Sequence, residues 1–170
     1  MSDEKGQAAA PGGNGDQQQR PPLTVNGQYV KDLSFEAPNT PQVFAVLHAE
    51  PPKIQVDIDV QAEPKADGLF EVALKVRAEA RAKEQLAYLL EIAYGGLFTV
   101  NVPEQHLGPV LLIECPQLLF PFMRRIVADI TGDGGFAPLM LSPIDFSQLY
   151  RQRIAQMQAE QERAPGAAQA

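Results

Sequence analysis

KIQVDIDV, residues Lys53 to Val60, decides the fold. Ile54, Val56, Ile58 and Val60 alternate with Lys53, Gln55, Asp57 and Asp59 at a period of two, the spacing of a strand with one buried and one wet face. A turn-like stretch, Gln61 to Gly68, leads into a second alternating run, where Phe70, Val72, Leu74 and Val76 oppose Glu71, Lys75 and Arg77. These two runs should pair antiparallel. A third run, Gln85 to Val100, sets Leu86, Tyr88, Leu90, Ile92 and Tyr94 against Ala87, Leu89, Glu91 and Ala93 before Gly95 and Gly96 interrupt it. Upstream, Tyr29, Leu33 and Phe35 alternate with Asp32, Ser34 and Glu36 as far as Pro38.

Downstream the period changes. Ile126, Val127 and Ile130 follow helical spacing, which predicts a helix from about Pro116 to Thr131, kinked or delayed by Pro121 and stopped by Gly132, Gly134 and Gly135. Ser142, Pro143 and Asp145 supply an N-cap, a first-turn proline and an N3 acid for a second helix carrying Phe146, Leu149, Tyr150, Ile154 and Met157 on one face. Strands followed by helices predict an α+β fold, a four-stranded antiparallel sheet with two main helices packed on one face.

The 170 residues are enough for one domain. Met1 to Pro22 carry almost no large apolar side chains and are expected as a disordered tail, as are residues 158–170, leaving 23–157 as the folded domain. With 14 basic and 21 acidic side chains and a net charge of -7, the chain lacks the basic footprint that nucleic acid or anionic lipid requires. No apolar run approaches the roughly 18 residues of a membrane span, and the N-terminus has no apolar stretch to serve as a signal peptide. A cytoplasmic protein without direct membrane insertion is expected.

The search for chemistry returns little. Asp57 and Asp59, at i and i+2 of an alternating strand, read as a solvated face and not a cation site. Gly132-Asp133-Gly134-Gly135 is not followed by the Lys and Ser/Thr of a phosphate loop, so it reads as a helix stop and flexible link. The single cysteine, Cys115, lies in an apolar stretch with no nearby cation to stabilise a thiolate. His48 and His106 are too few for zinc and flank prolines in loop-like segments. No catalytic residue, metal or cofactor is assigned. Phe136, between Gly135 and Ala137, is a mobile apolar contact or a loop anchor.

Apolar surface exceeds what two helices can cover, because the third run has Leu89 and alanines on its second face and the first helix is apolar nearly all round. Self-association through Leu118, Leu119, Phe122, Ile126 and Ile130 is the expected cover.

Three motifs then read together. The first is Lys31-Asp32-Leu33-Ser34-Phe35-Glu36-Ala37-Pro38-Asn39, with Pro41, Val43 and Phe44 just after it. The second is Cys115-Pro116 with Leu119-Phe120-Pro121 and Arg124; the third comprises Pro138, Leu139, Leu141, Pro143, Phe146, Leu149 and Tyr150. From about Leu23 to Ala155, the chain resembles the SecB family of bacterial export chaperones. The resemblance implies a homotetramer, a dimer of dimers, that holds unfolded secretory preproteins in the cytosol without ATP and delivers them to the translocation ATPase SecA. Matched residue by residue, it places SecA-contacting positions on Asp32, Glu36, Leu89 and Glu91 and preprotein-binding positions on Tyr88, Leu90, Ile92 and Tyr94, which by their alternation alone read equally well as plain core. Where well-known members carry a tryptophan after Phe44, this chain has His48, and Phe44, Leu47 and Phe136 are the apolar side chains assigned to the client site. Two other readings remain open. One is a small α+β enzyme or ligand-binding protein using Tyr88, Tyr94 or His106; the other is a SecB-like chaperone dedicated to one client, such as an antitoxin.

Overall fold

The computed structural model describes residues 20–163. It contains β1 (Leu23–Glu36), α1 (Gln42–Ala49), β2 (Lys53–Ala66), β3 (Leu69–Ala82), β4 (Gln85–Val100), α2 (Glu104–Pro109), a π-helical turn (Val110–Glu114), α3 (Cys115–Asp133) and α4 (Phe146–Arg163). The four strands form one antiparallel sheet in the order β1-β4-β3-β2. The predicted pairing of the first two alternating runs is present, with Ile58 opposite Val76 and Val76 opposite Ile92. That register stacks the even-numbered residues of β2 up to Pro64, of β3 from Phe70 to Ala80 and of β4 from Tyr88 onward on one face; before Tyr88 a bulge at Ala87 reverses the parity, so Leu86 pairs with Arg81 and does not share the Tyr88 side as its alternation suggests. There Leu74, Tyr88, Leu90 and Phe98 are buried, and α3 covers β3 and β4 with Leu119, Met123 and Val127.

Several expectations are corrected. Helix α1 interrupts the strands between β1 and β2 and buries Val43; at eight residues it is too short for helical periodicity to register. β4 does not break at Gly95 and Gly96 but runs through them to Val100, because its neighbours supply the ladder on both sides. The apolar stretch from Glu104 is one continuous helical run through α2, the π turn and α3. In the π turn the Cys115 N–H reaches back to the Val110 carbonyl, and Pro116, which has no N–H to place, falls in the first turn of α3. Pro121 lies inside α3 on its exposed side and neither delays nor ends it. The helix passes through Gly132 and stops at Gly134, two residues beyond the Thr131 end that the glycines suggest. Helix α4 begins later than the Ser142–Pro143 cap predicts, since the Asp145 carboxylate accepts the Gln148 N–H at 2.9 Å and is itself the cap. It continues to Arg163, past the Met157 boundary assigned to the tail. The N-terminal tail assigned to residues 1–22 lies, up to residue 19, outside the described residues, as do residues 164–170 of the C-terminal one.

Candidate functional site

Strand β1 does not alternate as its sequence suggests. Val30 pairs with Tyr94 and Asp32 with the next residue back, Ala93, so Lys31 is an extra residue and β1 bulges there. The bulge reverses the parity of the strand. Tyr29, opposite Gly95, faces outward, away from the helices, whereas Leu33 and Phe35, opposite Ile92 and Leu90, face inward. The expectation that Tyr29 shares a face with Leu33 and Phe35 is therefore wrong. Asp32, Ser34 and Glu36 face outward opposite Ala93, Glu91 and Leu89. Asp32, Glu36, Leu89 and Glu91, read from two distant stretches of sequence, thus meet on one solvent face.

Near the bulge, the same face holds a buried carboxylate. Glu71 is only 7% exposed. It accepts the Tyr29 hydroxyl at 2.6 Å, Lys31 Nζ at 3.0 Å and Lys65 Nζ at 2.9 Å. The Tyr29 hydrogen bond, then those from Lys65 and Lys31, hold the Glu71 carboxyl down at about 2, and the same hydrogen bond raises the Tyr29 hydroxyl. Sequence reading missed Glu71, because an acid on the polar side of an alternating strand carries no signal of burial.

Ion pairs run along the centre of this face. Arg77 stands directly opposite Glu91, with Nε 3.3 Å from its carboxylate, and also reaches Glu79 at 3.2 Å; Arg81 holds Glu79 at 2.6 Å. Arg81, with Arg77 behind it, keeps the Glu79 carboxyl below its ordinary range. Beside this belt lies a concavity of about 570 Å³ bordered by Asp32, Asp57, Asp59, Lys75, Arg77 and Glu91. The face is therefore acidic at its β1 and β2 margins and self-paired in the middle.

The inner face collects the residues assigned to clients. Tyr88, Leu90, Ile92, Tyr94 and Phe136 are all buried within the protomer, whereas Phe44 and Leu47 of α1 are partly accessible. Phe136 packs against Phe44, Tyr88 and Phe35 with centroid distances of 5.2, 5.0 and 6.2 Å. It is a plug in an aromatic cluster, held by a left-handed Gly135 (φ 86°), where an added Cβ would stand 3.1 Å from the Phe44 ring. The Tyr88 hydroxyl beneath it is buried without a hydrogen-bond partner among the described residues, and burial raises its pKa. Cys115 is likewise buried, its thiol pushed up to about 12, which fits packing and not nucleophilic chemistry. His48 and His106 are exposed and distant in role from either face.

The family described as preprotein translocase subunit SecB matches residues 16–157. The chain belongs to the SecB family. A protein-export protein SecB of Rhodospirillum rubrum is 49% identical over 96% of this chain and 98% of its own, and one of Parvibaculum lavamentivorans is 54% identical over 85% and 87%. Among solved structures, a Mycobacterium tuberculosis SecB-like chaperone in complex with a ChAD peptide from the HigA1 antitoxin superposes with a TM-score of 0.61. At 15% identity over 72% of this chain and 90% of that one, it attests the shared fold. The SecB family is one of chaperones and not of enzymes.

In this SecB-family chain the helices leave part of the inner face bare. On β1, Val25, Val30 and Leu33 point to the helix side yet are exposed, Val30 at 45%, because α3 covers β3 and β4 instead. The exposed flank of α3 adds Leu118 and Phe122, the latter 47% exposed and stacked on Tyr94 of β4 at 6.4 Å. Ile126 and Ile130 are partly buried, while Leu119 is wholly buried against the sheet beside Gly96. No helix among the described residues is long and apolar enough to cross a membrane, and no cluster among them has the ligands for a metal ion.

Proposed function

We propose that the chain is an ATP-independent protein-export chaperone that holds unfolded precursors of exported proteins in the cytoplasm and delivers them to SecA. The observation that carries the SecA half of this reading is the convergence of Asp32, Glu36, Leu89 and Glu91 at adjacent register positions on the open face. An acidic margin steers a basic partner and makes its binding salt-sensitive. Charge reversal of Asp32, Glu36 or Glu91 should abolish SecA binding while the delay of aggregation of a denatured precursor is kept; unchanged SecA affinity would refute the assignment.

Clients are held by apolar contact, which many unfolded sequences share. Phe44 and Leu47 are the accessible part of that site, and Tyr88, Leu90, Ile92 and Tyr94, buried within the protomer, are the part assigned to it by family resemblance. At about 25 cal/mol per Å², a few hundred Å² of apolar contact yields only several kcal/mol before ordering costs. A homotetramer, a dimer of dimers, repeats the site and makes later contacts intramolecular. Its cover is the bare inner half of β1 together with Leu118, Phe122, Ile126 and Ile130, and light scattering with and without an unfolded precursor reads assembly and holding together. One dominant partner in a pull-down, in place of many precursors, would mark a dedicated chaperone instead.

A further inference from the structure

The Lys31 bulge decides which side of the sheet presents Asp32 and Glu36, since a shift of one residue in strand parity sends a whole set of side chains to the opposite face. What fastens the bulge is therefore part of the docking machinery. Glu71 is the group that grips the bulge and the strand leading into it: Tyr29, ahead of the extra residue, donates its hydroxyl to one carboxylate oxygen, and Lys31, the extra residue itself, binds the other. Neither donor lies on a strand adjacent to Glu71. Both reach from β1 across β4 to β3, and Lys65 closes the grip from β2, so one carboxylate ties both edges of the sheet to its centre. The crossing needs Gly95. Tyr29 lies over this residue of β4, and a Cβ there would stand 2.8 Å from the tyrosine ring. A carboxylate this buried on an otherwise wet face is costly unless paired, and here every partner is a residue that sets strand position.

We propose that Glu71 is a positioning residue for the SecA dock: by gripping Tyr29 and Lys31 through the gap that Gly95 leaves, it locks the β1 bulge that turns Asp32 and Glu36 outward. The proposal rests on the docking reading above and adds to it a residue that itself touches no partner.

The test uses the full chain and three readouts: SecA affinity by calorimetry, delay of aggregation of a denatured precursor, and amide exchange along β1. Glu71→Ala should weaken SecA binding by about tenfold and speed exchange at Asp32 to Glu36, with client holding within about twofold of the parent. Glu71→Gln still accepts the Tyr29 hydroxyl and should recover part of the loss; a purely electrostatic role would instead leave it as impaired as the alanine. SecA affinity within about twofold of the parent in Glu71→Ala overturns the proposal. Should Glu71→Ala fail to fold, Tyr29→Phe and Gly95→Ala decide it, one removing the hydroxyl and the other displacing the ring; normal SecA affinity in both overturns it equally. Asp32→Lys separates the two layers. If it leaves SecA binding intact the docking reading itself is wrong, whereas loss in Asp32→Lys with none in Glu71→Ala removes only the positioning role.

Discussion

The two faces of the sheet are held by different means. The inner face is an apolar layer in which Leu74, Leu90, Phe98 and Leu119 exclude water, and its stability is spread over many contacts of similar worth. The outer face buries almost nothing except Ala73, Ala93 and Glu71, and its order depends on a few polar contacts at fixed distances. Area secures one face and geometry the other. Apart from Glu71, an outer face of exposed ion pairs can change its charges at little cost to the fold, which suits a surface whose task is recognition.

The sharpest way to break this contrast is to remove area from the inner side. Leu119 is wholly buried between α3 and the sheet, so Leu119→Ala should cost about 2–5 kcal/mol in urea unfolding, the lost transfer term plus the cavity. Leu118, its exposed neighbour, should change protomer stability by less than about 0.5 kcal/mol when cut to alanine, yet lower the assembled mass in light scattering. Equal effects from the two would mean that α3 presents a different side to the sheet.

A smaller effect separates the faces by pH. The Glu71 carboxyl lies at about 2 when folded, against 4.5 ordinarily, so its paired form contributes stability that is complete above 4.5 and lost as pH falls through that range toward 2. Glu71→Gln has no proton to gain at this site. The difference in urea midpoint between parent and variant should therefore be constant from pH 7 down to about 5 and close between 4.5 and 2. A gap that persists at pH 2 would show that Glu71 acts through shape and not through charge.

The same contrast explains what could be read from sequence. The inner face was legible because β2, β3 and β4 keep register without a break through Val56 to Val60, Val72 to Val76 and Tyr88 to Tyr94, and unbroken register lets alternation map onto sides. β1 contains bulges, and alternation carried across Lys31 put Tyr29 on the wrong side while still placing Asp32 and Glu36 together, since all of Asp32 to Glu36 lies beyond the bulge. The meeting of Asp32 and Glu36 with Leu89 and Glu91 required the strand order, which pairs the first strand with the last and is not written in local pattern. Glu71 and Arg77 were invisible as anything but solvated charges. Their roles arise from partners distant in sequence or on a neighbouring strand, and no spacing rule within β3 points to them.

The gentlest probe is Arg77, where the outer face opposes its own docking function. Its guanidinium occupies the Glu91 carboxylate at 3.3 Å, so a basic partner that uses Glu91 must displace it. Both side chains are about half exposed, and such a pair contributes about 0–1 kcal/mol, which limits the competition to a few-fold in affinity. Glu79 softens it further, because Arg77 released from Glu91 keeps that second acid, although Arg81 already holds it at 2.6 Å. Arg77→Ala should accordingly tighten SecA binding by about two- to fivefold at low salt, with precursor holding unchanged. The gain should vanish near 1 M salt, where the screening length has shrunk to about 3 Å. If Arg77→Ala weakens binding instead, the arginine is itself a contact, and the centre of the face is read by the partner as a pattern of both signs and not as an acidic patch.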